Sequence, residues 1–276
     1  MSHFIVRIWL LILAFALQPA LAQPVVLKEG TPLLLTTVDR LVSGEVPAGS
    51  VVRYKVDRDV LGPQGQVLIA RGADARGKVL KSEGSGFFGR SGALDISLET
   101  VVAADGTSVP LRAVRAATAA DQETAVIVGG ILLSWAFIFM EGDDIDIPAG
   151  TPLDAFVDLD TPVAKPGARV KLLPCSVKIL TPASGSHLKE EEKIFFSCEA
   201  TPKDEEPWVR VYIDQILVAS QRGNLSNVLW NTYRNEKQTE RVTGPGEHQV
   251  VLEVTWSNGQ IATSEPIKLT FKDGPW

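Results

Sequence analysis

Apolar positions in this chain recur mostly at every second residue, in short runs separated by Gly, Pro and Asn-Gly punctuation. That period belongs to strands, and no long helix is visible in these stretches. From Gly30 to about Asp160 the pattern predicts strands at Leu33 to Val38, Val51 to Val56, Val67 to Ile69, Gly77 to Leu80, Ala93 to Val101 and Val109 to Leu111. Asp105-Gly106 marks a tight hairpin between the last two, because Asp-Gly supplies positive φ angles. A second set follows at Val177 to Leu180, Ile194 to Cys198, Trp208 to Ile213, Ile216 to Ala219, Val228 to Thr232, Gln249 to Trp256 and Ile261 to Phe271. About seven alternating strands in roughly a hundred residues is the pattern of an immunoglobulin-like sandwich.

Two segments depart from that pattern. Ile8 to Leu17 is an uninterrupted apolar run behind Arg7, and Ala20-Leu21-Ala22 gives a small-x-small cleavage site. Residues 1–22 therefore read as a signal peptide, with the mature chain starting at Gln23. The second departure, Thr124 to Met140, carries no charge. As a helix it would be roughly 25 Å long, slightly short of a hydrocarbon core. Acids flank it on both sides (Asp121 and Glu123, then Glu141, Asp143 and Asp144), so no Lys/Arg asymmetry orients it as a span. Three fates stay open for this helical insertion: ordinary buried core, a projecting element that meets lipid or other copies, or a membrane span. Ile131, Leu132, Leu133, Trp135, Phe137 and Phe139 are its candidate contact residues.

An internal echo brackets the insertion. Pro47-Ala48-Gly49-Ser50-Val51 through Asp57-Arg58-Asp59 aligns without a gap on Pro148-Ala149-Gly150-Thr151-Pro152 through Asp158-Leu159-Asp160, and a looser copy begins at Gly30-Thr31-Pro32-Leu33. A tight Gly turn that launches a strand is what a closed barrel needs at its corners. The copies therefore predict equivalent strands of one small barrel over residues 23–163. Residues 164–171, containing Lys165-Pro166-Gly167, read as a linker, and 172–276 as the sandwich.

Charge and cysteine usage narrow the classes further. Removing Arg7 with the leader leaves 26 basic against 33 acidic residues, a net charge of −7. With no Lys/Arg cluster in the sequence, nucleic acid and an anionic membrane surface are disfavoured as partners. Cys175 and Cys198 lie in predicted neighbouring strands. An antiparallel pair folded about Ser186 and His187 would set them opposite one another, so a disulfide is expected, stabilising by about 3 kcal/mol through loop closure.

Catalytic chemistry is sparse. His187 and His248 both sit at turns, and no nucleophile elbow, zinc motif or phosphate-cradling loop is present. Asp143, Asp144, Asp146, Asp158 and Asp160 fit no calcium-loop spacing and read as a solvated edge. Phe87 and Phe88 in the glycine-rich segment 84–92 read as rings tucked under the barrel, with contact to a partner or membrane interface as the alternative. Trp208 and Trp230, with Tyr233, are the candidate sugar-stacking residues, with core packing as the alternative. No cofactor or metal is expected.

The first unit resembles the outer-membrane core barrel of type IV secretion and conjugation systems, the TrbI-like family. The likeness runs from Gly30-Thr31 through Val51 to Val60, Val67-Leu68-Ile69-Ala70-Arg71-Gly72, Asp105-Gly106-Thr107 and Ile147-Pro148-Ala149-Gly150-Thr151 to Val157-Asp158. It covers about half of the chain and implies a ring-forming barrel whose insertion projects as an antenna. The chain departs from that family in its short insertion, its missing proline-rich region and its second unit. That unit is similar to bacterial immunoglobulin-like domains, which serve as spacers or binding modules. The sequence thus predicts an all-β, non-enzymatic protein exported to the periplasm, outer membrane or surface of a Gram-negative bacterium. Its expected role is assembly or partner binding, with self-association through the insertion. The other reading is a secreted module that binds carbohydrate or a surface, with the apolar segment as ordinary core.

Overall fold

The computed structural model describes residues 24–85, 92–113, 126–127, 132–133, 144–188, 193–231 and 245–272. The leader, Phe87, Phe88 and Tyr233 lie outside them. Among the described residues the fold is all-β and no helix is long and apolar enough to cross a membrane.

Six strands close the barrel: β1 (Pro32–Thr37), β2 (Val51–Val56), β3 (Asp74–Glu83), β4 (Ala93–Val102), β5 (Ser108–Arg112) and β6 (Pro152–Val157), in the order β6-β1-β2-β3-β4-β5. The echo marks equivalent positions, as predicted. Its copies launch β1, β2 and β6, which are consecutive around the barrel. Gly49 and Gly150 hold φ at 90° and 85°, values that only glycine adopts cheaply. Each turns its amide onto a neighbouring strand, Gly49 to the Val79 carbonyl at 2.7 Å and Gly150 to that of Thr37 at 2.8 Å. Alternate residues of every strand fill the interior: Leu33 and Leu35 of β1, Val52, Tyr54 and Val56 of β2, and Leu153, Ala155 and Val157 of β6 belong to one buried cluster.

The second unit has β7 (Ser176–Thr181), β8 (Ser186–Leu188), β9 (Lys193–Thr201), β10 (Trp208–Ile213), β11 (Ile216–Arg222), β12 (Val228–Asn231), β13 (Gly246–Thr255), β14 (Ile261–Thr263) and β15 (Ile267–Phe271). They form one sheet β7-β9-β12 and another β8-β15-β13-β10-β11, with β14 on β13. Both sheets contribute to one apolar core, for instance Phe196 and Trp230 from the first and Val209, Val211 and Leu252 from the second. This is a sandwich, with the inner faces of two sheets sharing a core.

The structure corrects three expectations and tightens a fourth. Val126–Ile127 and Leu132–Leu133 pair as antiparallel strands, where a helix was expected. Gly129-Gly130 stands between them in the sequence, and such a pair favours a turn over helix continuation. Ile131, Trp135, Phe137 and Phe139 lie outside the described residues.

The disulfide is absent: Cys175 and Cys198 are free thiols. β7 pairs with β9 so that Ile179, not Cys175, stands opposite Cys198. Four residues of strand separate Cys175 from that position, about 13 Å and far beyond bridging reach. The simple hairpin fails because the intervening segment contains β8, which leaves to join β15 in the other sheet. Burial pushes the Cys198 thiol up to about 11.

Trp208 and Trp230 are both 0% exposed, so neither offers a stacking surface. Trp230 packs edge-on against Phe271 at 5.5 Å between centroids. The linker, finally, has little slack. Ala168 accepts from the Val67 amide at 3.0 Å, Gly167 donates to the Val67 carbonyl at 2.7 Å, and Val170 donates to that of Gly65 at 2.8 Å. The segment thus runs antiparallel beside Gly65 to Val67 and is strapped to the first unit.

The barrel has two distinct rims. One carries Gly44, Gly49, the end of β3 and Gly150; the aromatic loop leaves from it and the insertion returns to it at Asp144. Asp144, at the return of the insertion, accepts from the Ser85 amide at 2.5 Å, at the start of the aromatic loop. Ser43 ties the same place, donating to Asp144 and accepting from the Ile145 amide at 2.9 Å. Val38, Val51 and Leu80 are exposed at this rim, Val51 most of all at 63%. The other rim, at Asp57 to Asp59 and Val67, meets the linker and the sandwich.

Candidate functional site at the junction of the two units

The outward-facing residues of β6 do not meet water. Asp154 and Phe156 point away from the barrel interior, yet they are 0% and 8% exposed because the outer face of β10 and β11 covers them. On β10 the alternation sends Val209, Val211 and Ile213 into the sandwich core and turns Trp208, Arg210 and Tyr212 toward the barrel. Two outer faces are thus pressed together, one from each unit.

Their centre is an ion pair. Arg210 Nε donates to Asp154 Oδ1 at 2.7 Å, and both side chains are 1% exposed. Arg210 Nη1 donates to Glu253 Oε1 at 3.0 Å and Thr255 Oγ1 at 2.9 Å, both on β13. Trp208 Nε1 donates to the same Asp154 oxygen at 3.1 Å, leaving Oδ2 without a partner among the described residues. Burial opposes charge on Arg210, but the carboxylates of Asp154 and Glu253 outweigh it and raise its pKa. Burial raises Glu253 above the ordinary carboxylate range, against the pull of Arg210. Burial likewise raises Tyr212, whose hydroxyl lies 3.4 Å from Glu253.

A second set of contacts pins the far rim. Arg58, 5% exposed, donates through Nη1 to the Thr255 carbonyl at 2.6 Å and through Nη2 to that of Glu206. Arg222 pairs with Asp57 at 3.0 Å. Gly259 lies so close to the Asp59 carbonyl that an added Cβ would sit 2.2 Å from its oxygen. Among the described residues, one apolar cluster spans the junction, Phe156 with Leu217 and Tyr212. Arg112 covers the other side of Phe156, 5.6 Å above its ring.

Beside Arg58 opens a cleft of about 600 Å³ lined from both units by Asp57, Arg71, Lys203, Asp204, Glu205, Arg222 and Trp256 among others. Most of its charges are already engaged. Asp204 accepts from the Ser257 amide at 2.5 Å and from its hydroxyl, and Trp256 Nε1 donates to the Pro202 carbonyl at 2.7 Å. No nucleophile, base and orienting group converge here, and no cluster of metal-ligating side chains occurs among the described residues.

Other residues singled out by sequence are dispersed. Asp146 is clamped by Arg40 with two bonds of 2.8 Å, Asp160 by Lys28 at 2.7 Å, and Asp158 lies 3.6 Å from Arg112. The acidic edge is therefore a set of ion pairs. His187 is exposed on β8, whereas His248 faces Asp214 at 2.6 Å. Asp154, Arg210, Glu253 and Arg58 were not singled out by sequence. One local signal existed: β6 puts both Asp154 and Phe156 on its outward side, and a large aromatic there implies a covering partner.

No protein-family model matches the chain, and no curated protein matches it. Among solved structures it is similar to fibronectin(III)-like modules of CbhA from Clostridium thermocellum, with 16% identity over 34% of this chain and 93% of that one, at a TM-score of 0.28. It is also similar to dimeric latent PorU from Porphyromonas gingivalis, with 11% identity, 88% of this chain, 30% of that one and a TM-score of 0.27. Likenesses at this level identify no activity.

Proposed function

We propose that this chain is a non-enzymatic, exported envelope protein that holds an apolar barrel rim at a fixed angle to an immunoglobulin-like module, for assembly or for binding a partner. The observation that carries the reading is the division of labour between the two rims. One roots the aromatic loop and the return of the apolar insertion, tied together through Asp144, while the other is committed to the linker and sandwich. This arrangement supports the TrbI-like resemblance in the place where that family has its antenna. In the sandwich, β8 runs parallel to β15 and the two sheets divide the strands in the manner of immunoglobulin and fibronectin modules. Such modules act as spacers and binding surfaces, and fold alone names no ligand.

The test is fractionation of a Gram-negative host expressing the full chain, with an alkaline carbonate wash of its membranes. The reading expects an envelope protein beginning at Gln23, retained after the wash and released when residues 130–139 are replaced by a polar linker. An intact leader in the cytoplasm overturns export. Full release of the unaltered protein overturns the membrane-facing role.

A second reading has its own observation. The backbone of Leu132–Leu133 lies against β6 and β11, at the seam between the units. In that reading the apolar segment is ordinary core that covers the junction, and the protein is a secreted binding module. Carbohydrate stacking on Trp208 or Trp230 has no place in it, since both rings are buried.

A further inference from the structure

The cleft beside Arg58 takes one wall from each unit, and hydrogen bonds fix those walls in place. Arg58 holds the carbonyls of Thr255 and Glu206, Asp204 takes the amide and hydroxyl of Ser257, and the Trp256 indole donates to Pro202. Leu173, 43% exposed, is gripped at both ends of its backbone by Gln260. The Gln260 Oε1 accepts from its amide at 3.0 Å and Nε2 donates to its carbonyl at 2.9 Å. With Pro202, Leu173 gives the cleft an apolar side. Walls bonded in this way keep their shape without a ligand. A volume of about 600 Å³ lies within the range of small-molecule sites, which favour the boundary between two units.

The charges around the cleft divide into spent and unspent. Its lining holds as many cations as carboxylates, so neither sign dominates. Asp57 sits between Arg58 at 3.4 Å and Arg222 at 3.0 Å, Arg222 also reaches Glu206 at 3.6 Å, and Asp204 is taken by Ser257. That leaves Arg71 from the barrel unit, and Lys203 and Glu205 from the sandwich. All three are exposed, and none has a side-chain hydrogen bond or ion pair among the described residues. A purely anionic ligand would be repelled by Glu205, and a cation by Arg71 and Lys203. A ligand that carries both signs on an apolar body complements all three.

We propose that the cleft binds a short zwitterionic peptide, its terminal carboxylate held by Arg71 and Lys203, its ammonium by Glu205, and an apolar side chain against Leu173 and Pro202. Because one residue from each unit shares the carboxylate, binding also adds a bond between the units. The site lies at the rim that meets the sandwich, so it stands whether the apolar insertion meets lipid or covers the seam.

The experiment is isothermal titration calorimetry of the purified protein with the tripeptide Ala-Leu-Ala, at low and constant ionic strength. The N-acetyl and C-terminal amide forms of that peptide each remove one charge. The proposal predicts saturable binding of the parent peptide, weakened roughly three- to tenfold by either modification, as fits exposed and partly screened charges. Arg71→Gln and Lys203→Gln should weaken the parent peptide to a similar degree and leave the affinity for the amide unchanged. Glu205→Gln should weaken the parent peptide and leave the acetyl form unchanged. An amide that binds as tightly as the parent would overturn the proposal, as would the absence of saturable binding. Citrate binding more tightly than the parent peptide would make the cleft an anion site and overturn it too. The substituted side chains are exposed, so the variants are expected to fold, and the modified peptides test the unaltered protein independently.

Discussion

Strand β6 buries both of its faces, and it does so by opposite means. Inward, Leu153, Ala155 and Val157 join a continuous apolar cluster that any residue of suitable volume would extend. Outward, Asp154 and Phe156 are equally hidden, but Asp154 is held by directed bonds from Arg210 and Trp208 on the other unit. The apolar face supplies most of the stability, because burial of surface is strong and indifferent to direction. The polar face supplies orientation. Swapping a buried ion pair for apolar residues is often neutral or stabilising, so the pair is better explained by the single angle it imposes than by net energy.

Substitutions on the two sides should separate these contributions. The largest loss is expected in a core: Trp230→Ala, at a fully buried ring, should cost about 3–5 kcal/mol in urea unfolding of the sandwich. Asp154→Ala should approach that figure, about 3–5 kcal/mol, because Arg210 is left buried without its barrel partner. Replacing both, as Asp154→Leu with Arg210→Met, should recover most of the loss, and failure to recover it would make the pair a source of stability in its own right.

A smaller effect is expected at Glu253. Its folded pKa is raised, so between the ordinary value of 4.5 and the folded value the native state keeps a proton that the unfolded chain has lost. Stability therefore falls as pH rises through that window, and urea midpoints of Glu253→Gln should lack this slope. The smallest effect belongs to the exposed pair Arg40–Asp146, where Arg40→Ala should leave the thermal midpoint unchanged within error.

Much of the barrel was legible from sequence because its signals are local. The Pro-Ala-Gly echo located β2 and β6 through the turns that launch them, and alternation located Val51–Val56 and Trp208–Ile213 to the residue. The junction was not legible for the converse reason. Clean alternation in Val209-Arg210-Val211-Tyr212-Ile213 has the same form whether the polar face meets water or another unit. The partner of Arg210 lies 56 residues away on the far side of a linker. The cysteine pairing failed similarly: a register four residues off looks identical in sequence, and only the diversion of β8 into the second sheet decides it.

Asp154 and Arg210 act as one unit across the junction, and a double-mutant cycle measures that directly. Urea unfolding of the unaltered chain, Asp154→Ala, Arg210→Ala and the double variant should show strong coupling, toward the upper end of the roughly 0.5–3 kcal/mol seen for residues in contact. Single losses that add to within about 0.5 kcal/mol would contradict it, and would mean that the two units are held together by something other than this pair.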